Sequence, residues 1–365
     1  MYDYGLSTLT QYGIEVKSSS RTRGALVCRT EQGILLLREF HGSEKKLLFQ
    51  QEVLKKLSRE GCLVDTFIEN QEGSLVTRDK DNIPYTLQNW YEGRECDTKS
   101  REDIIRSVQI LARVHKFMNM PVEKAYMARS LADEYTRHNQ EIRKIRKFIR
   151  QKGASARFEK EFLGSVQWFL EKGEKALEML VKSDYEKLRD KAGEEGLLCH
   201  GEYNQHNVLL CKNQAAVTNF DHFSFDMQIS DLYCFMRKIL DNQHNVLLCK
   251  NQAAVTNFGH FSFDVQISDL YCFMRKILEK YNWDVFLARR MLEQYDKIRP
   301  ISSEEWENLQ IRFTYPEKYW KLANYYFSHN KAWISGKNTE KLEKVIAQKK
   351  IWGDFPEKCF GKSPF

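Results

Sequence analysis

Residues 197–240 constrain the fold of this 365-residue chain most, because they set polar groups between two apolar runs in a fixed order. A histidine, Glu202 and Asn207 follow the first run with the spacing H-x-E-x-x-x-x-N, and Asn219 and Asp221 end the second. In phosphoryl transfer, a loop acid orients the acceptor hydroxyl, while a loop asparagine and a strand-end acid hold Mg²⁺ against the phosphates. Glu202 and Asn207 are therefore the predicted catalytic residues. Asn207, Asn219 and Asp221 are the predicted Mg²⁺ ligands, with ATP as the predicted nucleotide.

A near-perfect internal duplication follows, in which residues 204–240 recur as residues 242–278 at an offset of 38. Only two of the 37 positions differ, because Asp221 and Met227 become glycine and valine in the second copy. Two copies are fewer than the three or so that a solenoid needs, so only one copy can fill a single site. We expect the first copy to fill it, because that copy adjoins Glu202 and carries Asp221. The alternative places the second copy there, since it runs directly into the C-terminal segment. Thermal stability after deletion of either copy would distinguish the two.

The N-terminal region has the pattern of a small β-rich unit. Two apolar runs at 24–30 and 33–40 predict paired strands, and the apolar spacing over 43–57 predicts a helix. Arg38, near the end of the second run, is either a surface residue or the cation that holds the phosphates of a nucleotide, a role usually taken by lysine. Glu52, in the predicted helix, is either solvated or the partner of that cation. Arg38 and Glu52 are accordingly the predicted cofactor-binding residues.

The chain divides into two predicted lobes at the Glu-Gly break, covering residues 1–92 and 93–365. With 42% hydrophobic residues, a chain of this length can bury a core in each lobe. A basic stretch at 137–152 is either a solvated helix face or a docking surface for an acidic partner. Nucleic-acid binding would rest on that stretch alone and is not expected. Neither a membrane span nor a secretion signal is expected, so the chain should be made and kept in the cytoplasm.

Beyond these patterns, the sequence resembles the CotS-type spore coat proteins of endospore-forming bacteria, which are similar to aminoglycoside and choline phosphotransferases. The matching stretches span nearly the whole chain and lie at residues 23–45, 89–104, 198–210, 217–220, 269–284 and 315–334. The resemblance implies an α+β, two-lobed protein-kinase-like fold with a small β-rich N-lobe and a large helical C-lobe. It also implies synthesis in the mother cell, a place in the spore coat and other coat proteins as partners.

The resemblance assigns Glu202 to the position of the catalytic aspartate, Asn219 to that of the strand-end metal aspartate and Asp231 to a structural aspartate. Arg38 takes the place of the phosphate-binding lysine, with its planar fork of donors instead of a point charge. Glu202 is one methylene longer than aspartate, and a shift of about 1 Å can cost roughly 10²-fold in rate. Asn219 is a neutral ligand where Mg²⁺ usually meets a carboxylate. Together these departures favour a coat scaffold with weak or degenerate phosphotransfer. The alternative is an active ATP- and Mg²⁺-dependent phosphotransferase acting on a small hydroxylated molecule or a coat protein.

Overall fold

A computed structural model describes most of the chain, with gaps around the duplicated segment. The described residues are 5–22, 24–97, 99–122, 127, 130–201, 203, 205–212, 214–225, 227–228, 283, 285–328 and 336–361. Glu202, Asp231 and the whole second copy of the duplication lie outside these residues. The predicted roles of Glu202 and Asp231, and the fate of the second copy, therefore remain predictions.

The N-terminal part of the chain forms a five-stranded antiparallel sheet in the order β1-β2-β3-β6-β5. A short 3₁₀ helix, Leu6–Tyr12, precedes it, and its strands are β1 Val16–Thr22, β2 Ala25–Thr30, β3 Gly33–Glu39, β5 Thr77–Arg78 and β6 Pro84–Asn89. Leu35 and Leu37 on β3 pack into the apolar cluster beneath the 3₁₀ helix. Because successive strand residues point to opposite faces, Arg38 lies on the other face, where it faces the loops described below.

The helix predicted after β3 is α1, Glu44–Arg59, which carries its apolar residues on one face. Leu47 and Leu54 on this helix are 4% and 0% exposed and join the main core, whereas Leu48 is 60% exposed. After α1 comes the two-residue strand β4, Leu63–Val64. Helix α1 therefore buries its apolar face in the main core beside β4 and leaves its polar face in solvent.

The remainder of the described chain is mainly helical. Its helices are α2 Arg101–Phe117, α3 Leu131–Lys152, α4 Arg157–Lys182, α5 Tyr185–Glu194, α6 Val285–Asp296, α7 Ser303–Thr314, α8 Glu317–Ser328, α9 Gly336–Ala347 and α10 Lys349–Phe360. The Ser100 hydroxyl accepts the Asp103 N–H at 3.2 Å and so caps the start of α2. His115 on α2 is 1% exposed, and its Nδ1 lies 2.8 Å from the Tyr295 hydroxyl in the core. No helix in the described ranges is long and apolar enough to cross a bilayer.

Two small sheets bring the central loops together. One sheet has the order β4-β10-β9-β7 and adds β7 Arg94–Glu95, β9 Val208–Leu210 and β10 Ala215–Val217. The other pairs β8 Leu198–Cys199 with β11 Ser224–Phe225 in antiparallel fashion. The loop after β8 leads to β9, and the loop after β10 leads to β11, so both loops connect the two small sheets. Strands β9 and β10 both belong to the first copy of the duplication.

Candidate functional site

The loop after β8 and the loop after β10 are held together by a buried histidine. His200 is fully buried, its Nε2 lies 2.9 Å from the Thr218 carbonyl oxygen, and its ring packs against Phe220 at a centroid distance of 4.4 Å. The Thr218 N–H donates to the Asn207 carbonyl oxygen at 3.0 Å. The contact of His200 attaches the start of the loop after β8 to the loop after β10, and the bond to Asn207 attaches its end.

Gly201 explains why glycine follows this histidine. Its φ is 80°, in the left-handed region, and a Cβ there would lie 1.9 Å from the carbonyl oxygen of His222. The loops therefore touch backbone to backbone at a point where no side chain fits. The histidine–glycine pair of the motif therefore has a structural role, because it holds the loop after β8 against the loop after β10.

Arg38 reaches from β3 to both oxygen-bearing side chains at the end of β10. Its Nη1 donates to Asn219 Oδ1 at 3.1 Å, and its Nη2 donates to the Asp221 carboxylate at 2.8 Å. The side chains of Arg38 and Asp221 are only 23% and 34% exposed. The planar guanidinium therefore bridges the two predicted metal ligands with one nitrogen for each.

The pair is also electrostatically matched. Burial alone would raise the pKa of Asp221, but the Arg38 guanidinium outweighs burial and holds that pKa below its usual value. Burial also opposes the charge on Arg38, yet Asp221 keeps the pKa of the guanidinium raised. Both groups therefore stay ionised at neutral pH and neutralise each other.

Helix α1 contributes two further contacts to Asp221. The predicted pairing of Glu52, on the same helix, with Arg38 is wrong. Lys46 Nζ donates to the Asp221 carbonyl oxygen at 2.8 Å, and Gln50 Nε2 lies 3.3 Å from its carboxylate. Within the described chain, Glu52 pairs instead with Lys55 at 3.7 Å, and its side chain is 59% exposed. Residues two apart on a helix differ by about 200° around the axis, so a helix that turns Gln50 inward turns Glu52 outward.

Asp65, just after β4, is a buried member of the site that the sequence did not reveal. Its Oδ2 accepts the Asn219 N–H at 2.7 Å and lies 3.2 Å from Gln88 Nε2. Asn219 has φ 69°, a left-handed conformation that this bond supports. Burial raises the pKa of Asp65 to about 7, although the Asn219 N–H and Arg38 act to lower it. No sequence signal marks Asp65, because it follows a strand of only two residues and its partner is 154 positions away.

Asn207 is 8% exposed, with its backbone bonded to the second loop as described above. Its neighbour His206 lies with Nδ1 2.5 Å from Glu95 Oε2 on β7. The described site therefore joins Asn207, Asn219, Asp221 and Arg38 through the two loops and their neighbouring strands. The assignment of catalysis to Asn207 stays a prediction, because nothing in this geometry tests it.

Mg²⁺ prefers about six oxygen ligands in near-octahedral geometry, including carboxylates. In the described chain, no three His, Cys, Asp or Glu side chains converge as metal ligands. The amide oxygen of Asn219 and the carboxylate of Asp221, which a cation would need, both accept hydrogen bonds from Arg38. In this conformation Arg38 therefore supplies the positive charge beside these two oxygens, and the assignment of Mg²⁺ to Asn207, Asn219 and Asp221 stays a prediction.

Comparison with known proteins identifies the family. Residues 7–247 match the family described as "Spore coat putative kinase YutH", which is well over half of the chain. The chain belongs to this family. Spore coat protein S of Bacillus subtilis (strain 168) is 19% identical over 355 residues, covering 94% of this chain and 89% of that protein. The predicted CotS-type, kinase-like family is thus confirmed.

Solved structures show the fold of this spore coat family member. An aminoglycoside phosphotransferase from Alicyclobacillus acidocaldarius matches with a TM-score of 0.76 at 14% identity, over 97% of this chain and 94% of its own. Amicoumacin kinase, in a complex with AMP-PNP and Ca²⁺, matches with a TM-score of 0.50 at 12% identity, over 94% and 89% of the two chains. The predicted kinase-like, aminoglycoside phosphotransferase-like fold, with a β-rich N-terminal region and a helical C-terminal region, is confirmed.

Proposed function

We propose that this member of the spore coat kinase-like family is a coat component that acts through protein contacts and transfers phosphate weakly or not at all. The family match and the relative named spore coat protein S support the coat assignment. Synthesis in the mother cell followed by deposition in the spore coat is the expected route. Other coat proteins are the expected partners.

The proposal of weak or absent phosphate transfer rests on the hydrogen bonds from Arg38 to Asn219 and Asp221. A divalent cation at Asn219 and Asp221 would compete with Arg38, since the two terminal nitrogens of the arginine already bind both side chains. The two side chains are 23% and 34% exposed, so breaking this ion pair should cost an amount between those of a surface pair and a buried pair, about 2 kcal/mol. The neutral Asn219 offers a cation less attraction in return than a carboxylate would.

Nucleotide binding would compete for the same arginine. Arg38 is the predicted cation for the phosphates, yet its guanidinium is engaged by Asp221 at 2.8 Å. A triphosphate would have to draw Arg38 away from Asp221 and leave that half-buried carboxylate without its main partner. We therefore expect ATP and Mg²⁺ to bind weakly, and each to affect the affinity of the other.

A phosphate-release assay and a nucleotide-dependent thermal shift on the purified full chain test this proposal. We expect no turnover above the buffer rate with ATP and Mg²⁺, and at most a small shift of the melting temperature at millimolar nucleotide. Robust turnover that disappears in Glu202→Ala would contradict the scaffold proposal. Fractionation of spores, with detection of the chain by antibody, tests the coat assignment separately.

An active phosphotransferase remains the second candidate, and Asp221 favours it. Asp221 lies two residues after Asn219, and Arg38 binds both side chains, so Asp221 can supply the carboxylate that the asparagine lacks. Its depressed pKa keeps that carboxylate ionised. The acceptor would then be a small hydroxylated molecule or a coat protein. Failure to bind ATP with Mg²⁺ at millimolar concentration would eliminate this candidate.

A further inference from the structure

The C-terminal half of α3 carries an unusual excess of positive charge. Residues 142–152, with the sequence IRKIRKFIRQK, contain six cations and no carboxylate. A helix dipole favours cations only within about the last turn, so it does not account for those farther back. The neighbouring helix accounts for half of them, because it supplies partners for the cations that face it.

Helix α4 supplies those partners through two ion pairs and a hydrogen bond. Arg143 pairs with Glu174 at 2.5 Å, and Lys152 pairs with Glu159 at 2.5 Å. The third cation of this side, Arg146, donates to the Gln167 side chain at 2.8 Å. Arg143, Arg146 and Lys152 are therefore satisfied within the molecule by residues of α4.

The remaining three cations, Lys144, Lys147 and Arg150, are exposed. Among the described residues, none of the three has a carboxylate within ion-pair distance. The nearest acid on the same helix, Glu141, is already engaged, since it pairs with Arg137 and accepts from the Trp320 indole at 2.7 Å. The outer side of α3 is thus a strip of uncompensated positive charge.

An exposed aromatic ring lies within this strip. Phe148 is 52% exposed, and one edge of its ring meets Phe327 of α8 at a centroid distance of 6.1 Å. Lys144, Lys147, Phe148 and Gln151 follow the i, i+3, i+4, i+7 spacing, which places them on one face of the helix. We call this set, with Arg150, the α3 strip.

We propose that the α3 strip docks an acidic polypeptide segment that places an apolar side chain on Phe148. Charge complementarity selects an acidic partner, and the single exposed ring gives that partner a fixed contact point. This inference rests on the proposed action through protein contacts, but it does not depend on whether the kinase-like site is active.

Two other negatively charged partners, DNA and an anionic membrane surface, fit the α3 strip less well. The affinity of a protein for DNA grows with the number of phosphates that its cations neutralise, and the strip offers three cations without an ion pair among the described residues. A membrane-binding helix inserts a whole apolar face, but the apolar face of α3 is buried in the core, through residues such as Ile142 and Ile149 at 0% exposure. A protein segment needs only a few charges and one apolar contact.

Fluorescence anisotropy with the purified full chain tests the proposal. The probe is a short labelled peptide of glutamate and leucine, compared with the same peptide carrying lysine for glutamate and with one carrying serine for leucine. Double-stranded DNA and phosphatidylglycerol vesicles are titrated under the same salt. The expected result is salt-sensitive binding of the acidic peptide only, tighter when leucine is present.

Two charge-reversal variants locate the binding. Lys144→Glu, Lys147→Glu and Arg150→Glu together should weaken peptide binding by roughly tenfold or more, because the change removes three attractive charges and introduces three repulsive ones. The matched control reverses the exposed Lys337, Lys341 and Lys344 of α9 and should change the affinity less than about twofold. Phe148→Ser should weaken binding of the leucine peptide but leave the leucine-free peptide unaffected. Circular dichroism confirms that each variant is folded.

Equal weakening by both triple variants would overturn the proposal, because it would indicate attraction to overall charge alone. Tighter binding of DNA or vesicles than of the peptide, lost in the α3 variant, would also overturn it in favour of a nucleic acid or membrane. Absence of peptide binding would overturn it as well. The phosphate-release and spore-fractionation results would be unaffected by any of these outcomes, so failure of this inference is distinguishable from failure of the proposed function.

Discussion

Replacement of Arg38 by methionine tests whether the arginine acts as the resident cation of the site. Methionine keeps a long apolar side chain but leaves Asp221 and Asn219 without the guanidinium that bridges them at 2.8 and 3.1 Å. The two charged side chains are 23% and 34% exposed, between a surface pair and a buried one. We therefore expect Arg38→Met to lower the free energy of unfolding by about 2 kcal/mol.

The same variant should gain a response to divalent cations, because the oxygens of Asn219 and Asp221 become available. At a free Mg²⁺ concentration about ten times the dissociation constant, binding to the folded state alone adds about 1.4 kcal/mol. For a chain of 365 residues, that corresponds to a rise in melting temperature of roughly 2 °C. Scanning fluorimetry of wild type and Arg38→Met, with and without Mg²⁺ or Ca²⁺, measures this difference.

Arg29→Met is the matched control, because Arg29 lies on the adjacent strand and pairs with Glu92 at 3.1 Å. Both side chains of that pair are more than half exposed, so we expect a loss below about 1 kcal/mol and no new metal response. Adding Asp221→Asn to Arg38→Met should abolish the gain. The reasoning is refuted if wild type is stabilised by Mg²⁺ as much as Arg38→Met, or if the double variant still responds.

Three further substitutions test the packing around the site and the core. Burial lowers the pKa of His138 from 6.5 to about 2, so the unfolded chain takes up a proton there below about pH 6.5 while the folded protein does not. The free energy of unfolding should therefore fall as the pH drops below about 6.5, by up to about 1.4 kcal/mol per pH unit. His138→Phe keeps the ring stacking and should flatten the urea-unfolding profile between pH 7 and pH 4; an unchanged slope would show that other groups cause it. Gly201→Ala should cost roughly 3 kcal/mol or more by urea unfolding, whereas Gly24→Ala, with φ 72° but open space, should cost only about 1 kcal/mol, and equal losses would contradict the close approach. Leu54→Ala should cost about 2–5 kcal/mol by the same measurement and Leu48→Ala less than about 0.5 kcal/mol, so similar losses would contradict the burial of α1.

The sequence alone determined the local structure and the loops that carry the polar groups. The apolar alternation of the early strands and the helical spacing after them predicted β2, β3 and α1 close to their observed bounds. The motif predicted two polar loops between apolar runs, and the structure brings those loops together through His200 and Thr218. These features depend on contacts between neighbours in the chain, or on residue types with few alternatives, so a single sequence can reveal them.

Tertiary structure alone decided which groups meet in the site. The sequence left Glu52 either solvated or paired with Arg38. The rotation of α1 turns Glu52 to solvent, and Arg38 pairs with Asp221, 183 positions away. Asp65 was invisible for the same reason, because its role depends on a bond to Asn219 across 154 positions. Sequence periodicity fixes which face of an element is apolar, whereas the partner of a polar side chain depends on how distant elements are placed against each other.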